Sequence, residues 1–409
     1  MPGHKRVLAE AGRINGNSCL TDRYVICIIN KEVLYIGRRR TLTETRDKVY
    51  WIWLSSIPDI GSKRFFYLIE RFGSPKSVWG SSSADLWEER RFIGYKAVQN
   101  IIRHRKPEYL DRAKKINEDS NIKVITFADE EYPKILKTIY DPPAVLYCKG
   151  KPLKVTSYML AIVGSRRTTE YGRQVAEKFA YELSGAGLTI VSGLARGIDS
   201  MAHRGAIRAG GYTIGVLGCG VDVVYPRENK RLFLQMEQYG TLISEYPPGT
   251  QGAPGNFPAR NRIISGLSQA VLVVEAGSRS GALITCDFAL EQGRDVYAIP
   301  GNIISPYSRG TNQLLKEGAK LITCPEDILE EFGMAGHQAA DGPSNIAHQL
   351  DIFETQVYNA LEHGEKQLEE LVAITGFEVS KLNAILTILE MKGVVKQLPG
   401  GKFVKQWMN

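Results

Sequence analysis

Residues 158–199 read YMLAIVGSRRTTEYGRQVAEKFAYELSGAGLTIVSGLARGID. The apolar run Tyr158 to Val163 stops at a glycine, an amphipathic stretch occupies Tyr171 to Ser184, and a second apolar run, Leu188 to Ser192, stops at another glycine. Strand, helix and strand at this spacing form a βαβ unit, in which the helix returns the chain to its starting end so that the two strands run parallel. The alternation continues. Strands are expected at Thr213 to Leu217, Thr241 to Glu245, Ala270 to Glu275 and Asp295 to Ile299, and helices at Ser200 to Ala209, Asn229 to Tyr239, Arg260 to Leu267 and Ala282 to Gln292. This predicts an α/β fold with a doubly wound, extended Rossmann-like parallel sheet over residues 121–332. Ligands of such sheets bind beyond the carboxyl ends of the strands, so the loops after each strand are where chemistry is sought.

Outside this core the period changes. Between Lys48 and Asn117 apolar residues fall at helical spacing, through Val49, Ile52 and Leu54, then Phe65, Phe66, Leu68, Ile69 and Phe72, then Ala97, Ile101 and Ile102. Residues 46–120 are therefore expected to form a small helical domain. Its turns Ile57-Pro58-Asp59-Ile60-Gly61 and Phe92-Ile93-Gly94-Tyr95-Lys96 each precede a helix. Helix-hairpin-helix modules turn backbone N–H groups toward a phosphate this way, and short bundles also need such turns for packing alone. Residues 1–45 surround one apolar patch, Tyr24 to Ile29, and end in Arg38, Arg39 and Arg40. They read as a basic extension without an assigned fold: a nucleic-acid arm, an unstructured extension or an over-extended start. Residues 333–350, rich in Gly, Ser, Ala and Asp at their start, read as a linker. Helices at Phe353 to Leu361, Lys366 to Thr375 and Val379 to Lys392, followed by a hairpin tipped by Gly400-Gly401, predict a winged helix over residues 351–409.

Composition sets limits. A chain of 409 residues with 43% hydrophobic and 23% charged residues suits a multidomain globular protein, not a disordered or fibrous one. The longest apolar run near the start, Val25 to Ile29, is far short of the ~18 residues that cross a bilayer, so no membrane span is expected. Cys19, Cys27, Cys148, Cys219, Cys286 and Cys324 show no metal or redox spacing, and no secretory segment follows the start, so reduced thiols and a cytoplasmic location are expected. The net charge of +8 is uneven. Residues 1–120 hold 23 Lys and Arg against 14 Asp and Glu, residues 160–325 hold 17 against 13, and residues 351–409 hold 6 against 8. The front and middle suit a polyanion partner, or are simply basic; the tail is no basic arm.

Four strand ends carry the candidate site. Gly164-Ser165-Arg166-Arg167 closes the first strand and Ser192-Gly193-Leu194-Ala195-Arg196-Gly197-Ile198-Asp199 the second. Phe257-Pro258-Ala259-Arg260-Asn261-Arg262 ends the long loop after the fourth, and Glu275-Ala276-Gly277-Ser278-Arg279-Ser280-Gly281 follows the fifth. Glycine lets backbone approach a ligand, hydroxyls and helix N-termini offer donors, and guanidinium groups match phosphate geometry. The expected anion-binding set is Gly164, Ser165, Arg166, Ser192, Gly193, Arg196, Gly197, Arg260, Asn261, Arg262, Arg279, Ser280 and Gly281, with five arginines converging on one rim. Asp199 is expected to cap the helix that follows it, and His203 to be structural. No P-loop occurs, Gly218-Cys219-Gly220 supplies two of the three dinucleotide-fingerprint glycines, and no carboxylate cluster suggests a two-metal centre. No catalytic residue, metal or cofactor is expected, and neither ATP hydrolysis nor DNA cleavage.

Taken in order, Gly164-Ser165-Arg166 with Tyr171-Gly172, Ser192 to Asp199, Tyr225-Pro226 with Asn229, Arg260-Asn261-Arg262-Ile263-Ile264, Val273-Val274-Glu275-Ala276 with Ser280-Gly281, and Pro300-Gly301 with Gly310-Thr311-Asn312 closely resemble the motifs of the DprA (Smf) DNA-processing family. The resemblance spans about Ile122 to Thr323. The helical domain resembles the SAM-like or helix-hairpin-helix domain in front of many members, and the tail resembles their winged helix. The resemblance implies a bacterial cytoplasmic protein that binds single-stranded DNA, loads the RecA recombinase onto it and protects incoming strands during natural transformation. It implies a homodimer without nucleotide cofactor and assigns Arg166 and Arg196 to the DNA-binding pocket; single-strand-binding protein is a further candidate partner. Two departures stand out. The extension to residue 45 has no family counterpart, and Asp59 stands where a hairpin module would carry glycine.

Two other classes fit less of the chain. A nucleotide phosphoribohydrolase of the lysine-decarboxylase-like class uses a related sheet, but its Pro-Gly-Gly-x-Gly-Thr-x-x-Glu signature is not reproduced between Ala276 and Thr285. A winged-helix transcription regulator would read duplex with Val379 to Lys392, which carries only Lys381 and Lys392 against Glu390.

Overall fold

The structure, a computed structural model, describes residues 24–29, 32–38, 48–334, 350–362 and 364–405. Positions 335 to 349 of the expected 333–350 linker, and Arg39 and Arg40, lie outside them. Within the basic extension, β1 (Tyr24–Ile29) and β2 (Glu32–Arg38) pair antiparallel, with Cys27 opposite Leu34.

Seven short helices follow: α1 (Lys48–Ser55), α2 (Ser62–Phe72), α3 (Pro75–Gly80), α4 (Ser83–Glu88), α5 (Arg90–Ile93), α6 (Tyr95–Arg103) and α7 (Pro107–Glu118). Their starts are locally encoded. Ser74 caps α3 ahead of Pro75, and Ser82 with Asp85 forms a capping box on α4. The α1 residues Trp51, Ile52, Trp53 and Leu54 are all buried, and Trp53 packs edge-on to Trp79 at 4.8 Å while its indole N–H donates to the His104 carbonyl at 2.8 Å. Asp59 has φ +67°, the left-handed region that glycine occupies most cheaply, which explains why hairpin modules favour glycine here. The helical core runs on into the sheet without a break, Phe66 packing edge-on against Phe127 at 4.7 Å.

The large sheet comprises β3 (Lys123–Thr126), β4 (Val145–Gly150), β5 (Met159–Val163), β6 (Thr189–Ser192), β7 (Thr213–Val216), β8 (Thr241–Ser244), β9 (Ala270–Val273), β10 (Asp295–Ala298) and β11 (Lys320–Leu321). They lie in the order β11-β10-β9-β5-β6-β7-β8-β4-β3. The run from β10 to β8 is parallel, as expected, whereas β11, parallel beside β10, β4, antiparallel to β8, and β3, antiparallel to β4, were not foreseen. The chain builds outward from β5 to β8, then crosses back to place β9 on the other side of β5. The switch between β5 and β9 opens a crevice at their carboxyl ends. Alternate residues of β5 enter different cores: Leu160 and Ile162 pack with Phe179, Leu183 and Ile190, while Ala161 and Val163 pack with Val191, Ile214 and Val271.

Helices α8 (Lys134–Lys137), α9 (Glu170–Gly185), α10 (Ile198–Arg208), α11 (Lys230–Tyr239), α12 (Asn256–Leu267), α13 (Gly281–Glu291), α14 (Arg309–Lys316) and α15 (Pro325–Glu331) complete this part. The expected start of the fourth-loop helix at Arg260 moves back to Asn256, because Pro258 falls in the first turn, where its missing N–H costs nothing. The tail contains α16 (Ile352–Ala360), β12 (Lys366–Gln367), α17 (Leu368–Thr375), α18 (Val379–Met391), β13 (Val395–Leu398) and β14 (Lys402–Lys405), ordered β12-β14-β13. Lys366 and Gln367, expected as helix, pair with β14 instead. Val357, Leu371, Leu382, Leu389 and Phe403 form this winged helix's own core. Among the described residues no single helix is long and apolar enough to cross a membrane.

His203 on α10 is buried, its Nδ1 2.8 Å from the Thr213 hydroxyl, and burial pushes its pKa down to about 3. The folded protein refuses a proton that the unfolded chain accepts near pH 6.5, so stability is full above that pH and falls as pH drops toward 3. His203→Gln, neutral throughout, should flatten the fall in urea midpoint between pH 7 and pH 4 relative to the parent; identical slopes would refute the assignment.

Candidate nucleic-acid interface

The crevice at the switch point is assembled from backbone upward. Gly164 ends β5, where a Cβ would meet Ile198 Cγ1 at 2.5 Å and the Glu275 carbonyl at 2.8 Å, so the loop after β5 can lie flat on the loop after β9. Ser165 N–H donates to that same carbonyl at 2.7 Å. The buried Glu275 carboxylate then fixes the turn into α9, accepting from the Thr168 hydroxyl, from Thr169 N–H at 2.9 Å and from the Thr169 hydroxyl at 2.5 Å. Thr169 in turn caps α9 by accepting from Gly172 N–H at 3.1 Å. Gly172 lies against the carboxylate with no room for a side chain. Glu275 is therefore a strut of the loop that holds Arg166 and Arg167 outward.

The loop after β6 is set as firmly. Asp199 was expected to cap its own helix; instead its buried Oδ2 accepts from the loop amides of Gly193 at 3.1 Å and Ala195 at 3.4 Å, while Gly197 occupies the N-cap without a side-chain bond. Burial raises the Asp199 pKa against the pull of Arg260. Asn229 donates to the Leu194 carbonyl at 2.9 Å and to Ser200 Oγ at 2.9 Å, holding Leu194 at φ +53°. Gly197, at φ +77°, sits directly under the Ser165 and Arg166 carbonyls. The result presents Arg196 to solvent, in an ion pair with the equally exposed Glu228.

Two adjoining clefts result. One, of ≈ 630 Å³, is lined by Gly164, Ser165, Arg166, Arg167, Asn261, Arg279, Ser280 and Gly281. The other, of ≈ 610 Å³, is lined by Arg166, Gly193, Arg196, Tyr225 and Arg227, and the two share Arg166, Arg167, Phe257 and Arg260. Arg166, Arg167, Arg227 and Arg279 are exposed and form no ion pair among the described residues. Between the clefts the rings of Tyr225 and Phe257 stack at 4.8 Å and 28°, with the Arg166 guanidinium 5.5 Å from the Phe257 centroid and Tyr225 41% exposed. Gly218, part of the incomplete dinucleotide fingerprint, makes room for that phenyl ring: a Cβ there would stand 2.7 Å from Phe257 Cδ1.

Not every expected residue reaches the rim. Arg260 lines both clefts, but its guanidinium is buried and donates to the Gly193 carbonyl at 2.8 Å and to the Val216 carbonyl; burial brings its pKa down to about 10. Arg262 faces away altogether, forked onto Glu245 with both N–O distances 2.7 Å and 3.4 Å from an Asp141 carboxylate oxygen. Burial works against its charge, and Glu245 more than restores it, so its pKa is raised. Ser192 is also interior, its hydroxyl donating to the Ile162 carbonyl at 2.6 Å. Ser280 uses its hydroxyl to accept from Ala282 N–H at 3.3 Å at the start of α13. The convergence of five arginines is thus corrected: Arg166, Arg196 and Arg279 are outward, Arg260 and Arg262 are structural, and Arg167 and Arg227 join the rim. Among the described residues no group of three or more His, Cys, Asp and Glu could hold a metal.

Comparison with known proteins places this geometry. Residues 123–333 match the family model of DNA recombination-mediator protein A, and residues 342–401 match the DprA winged helix domain. The chain belongs to the DNA recombination-mediator protein A family. It is 46% identical to the DNA processing protein DprA of Bacillus subtilis, over 58% of this chain and 80% of the relative, and 40% identical to the protein Smf of Escherichia coli over 69% and 78%. Its fold matches an X-ray structure of DprA from Streptococcus pneumoniae with a TM-score of 0.60 and 36% identity, covering 71% of this chain and 99% of that one. Family membership makes this a DNA-binding protein of DNA processing and recombination, with a winged helix at its carboxyl end. The clefts lie wholly within the matched span, whereas helices α1–α7 fall before it.

Proposed function

We propose that the chain binds single-stranded DNA in the paired clefts, loads the RecA recombinase onto that strand and protects incoming strands during natural transformation. The carrying observation is the exposed Tyr225 ring, stacked on the half-buried Phe257 and set among Arg166, Arg167, Arg196, Arg227 and Arg279. Guanidinium groups hold phosphates of either nucleic acid, but a ring face between them is useful only to a base that has left its partner. We further infer a cytoplasmic homodimer that needs no nucleotide cofactor and hands its strand to the recombinase in the presence of single-strand-binding protein. It performs no hydrolysis itself. The carboxylates in and behind the clefts support this, since Glu228 is paired with Arg196, Asp199 is held by loop amides and Glu275 by two threonines.

The test is a salt titration of binding to oligo-dT and to duplex of equal length. Preference for oligo-dT, with log affinity falling by ~0.7 per phosphate contacted against log salt, is the expected result. Equal or stronger duplex binding would defeat the single-strand reading. Strand exchange by RecA on DNA precoated with single-strand-binding protein should show a shorter lag when the protein is added, and an unchanged lag would defeat the loading role.

A further inference from the structure

We propose that the hairpin between α5 and α6 is a second base-stacking subsite, which receives the part of a single strand that runs out of the arginine clefts. This rests on the single-strand reading above. Phe92 and Tyr95 flank Gly94 and are 70% and 65% exposed, although nothing in the packing of a small bundle calls for two uncovered rings three residues apart. They are held in place from behind. Phe92 stacks on Tyr67 at 5.2 Å and 25°, the Tyr67 hydroxyl donates to Glu89 at 2.5 Å, and Arg71 anchors the other Glu89 oxygen at 2.6 Å. Tyr95 leans on Trp87 at 6.1 Å. The outer ring faces are therefore preorganised, which lowers the entropy lost when a base stacks on them.

Four cations surround the rings, with the exposed acids Glu70 and Glu88 set behind them beside Tyr67 and Arg71. Arg64 reaches within 3.7 Å of where a Gly94 Cβ would stand and donates to the Asp59 carbonyl at 2.6 Å; Arg90 donates to the Trp87 carbonyl at 2.8 Å; Arg91 and Lys96 are exposed. These bonds leave the cationic charge uncancelled, and none of the four forms an ion pair among the described residues, whereas Glu89 is already engaged. Aromatic faces interleaved with free cations match a flexible chain of bases and phosphates. Helix α2, which backs the hairpin, also meets α12, the helix that walls the clefts from its other face. Ser62 at the start of α2 lies 3.5 Å from the Arg262 guanidinium of α12, and the first turn of α12 supplies Phe257 to the clefts.

A length series of oligo-dT, titrated against the full chain, tests this. The parent should gain affinity once the strand outgrows the clefts. The Phe92→Ala/Tyr95→Ala variant should lose that gain by about tenfold or more while binding short strands like the parent, and Phe92→Tyr/Tyr95→Phe should keep it. Equal thermal midpoints of the three proteins secure the comparison. Parent-like affinity of the alanine variant at every length, or an equal loss at every length, overturns the subsite while leaving the cleft reading in place; the hairpin would then serve a protein partner. No binding of any oligo-dT by the parent overturns both, and the fault then lies with the clefts.

Discussion

Replacing Arg166 and Arg196 together with alanine is expected to weaken oligo-dT binding by ~10² to 10⁴-fold, the sum of two charge-assisted contacts of ~1.5–3 kcal/mol each. The two guanidinium groups stand on neighbouring loops after β5 and β6 and line one cleft, so a single strand passing the Tyr225–Phe257 stack meets both. Their local settings differ. Arg196 is paired with Glu228 in the free protein, but both side chains are 60% exposed, and an exposed pair contributes at most ~1 kcal/mol, so a phosphate can displace the carboxylate. Arg166 has no carboxylate to leave and rests over the Phe257 ring. The salt slope should fall by ~1.4 in the double variant, as two single-strand phosphates lose their cations. The loops themselves should keep their shape, because Glu275, Asp199 and Asn229 hold them independently of either arginine. Fluorescence anisotropy across a salt series measures both quantities, and parent-like affinity in the double variant would remove the clefts from DNA binding.

The loops after β5, β6 and β9 were legible in sequence because glycine and arginine at the end of an apolar run carry their meaning locally. Gly164, Gly197 and Gly172 are required by close backbone or carboxylate contacts, and that requirement needs only the strand-turn-helix pattern to be suspected. What sequence did not disclose depends on direction. Arg260 and Arg262 are two residues apart on α12, about 200° around the helix, so they cannot both face one rim. Arg260 turns under the β6 and β7 loops, and Arg262 turns toward Glu245 at the end of β8 and toward α2. An acid closing an otherwise uncharged, fully buried strand, as Glu245 closes Thr241 to Ser244, was the available signal that a buried cation lies nearby. Tyr225 and Phe257 were missed as stacking rings because nothing local separates an aromatic residue that fills a core from one that walls a cleft. The antiparallel strands β3 and β4 were missed for a related reason: β3 pairs with β4, and the pairing of β4 to β8 is a long-range fact that no alternation of strand and helix announces.

Arg262→Met should be the most destabilising of these substitutions, by ~3–5 kcal/mol, and yet leave oligo-dT affinity nearly intact in whatever fraction remains folded. The guanidinium is buried and its bonds are all internal: two to Glu245, one to the Asp141 carbonyl at 2.9 Å and one to the Ala259 carbonyl at 3.1 Å, with Ser62 of α2 at 3.5 Å. Removing it leaves the Glu245 carboxylate largely out of water without its cation, and an uncompensated buried charge costs far more than the pair contributes. The same reasoning fixes the compensating change. Arg262→Met with Glu245→Leu removes both charges, fills similar volume and should recover most of the loss, a coupling that a urea-unfolding double-mutant cycle reads directly. Two outcomes would place Arg262 in the interface after all: a single variant as stable as the parent that no longer binds oligo-dT, or a double variant that regains stability without regaining affinity. Either would require the α12 side chain to swing from Glu245 to the cleft, which the fork onto Glu245 and the contact with α2 both oppose.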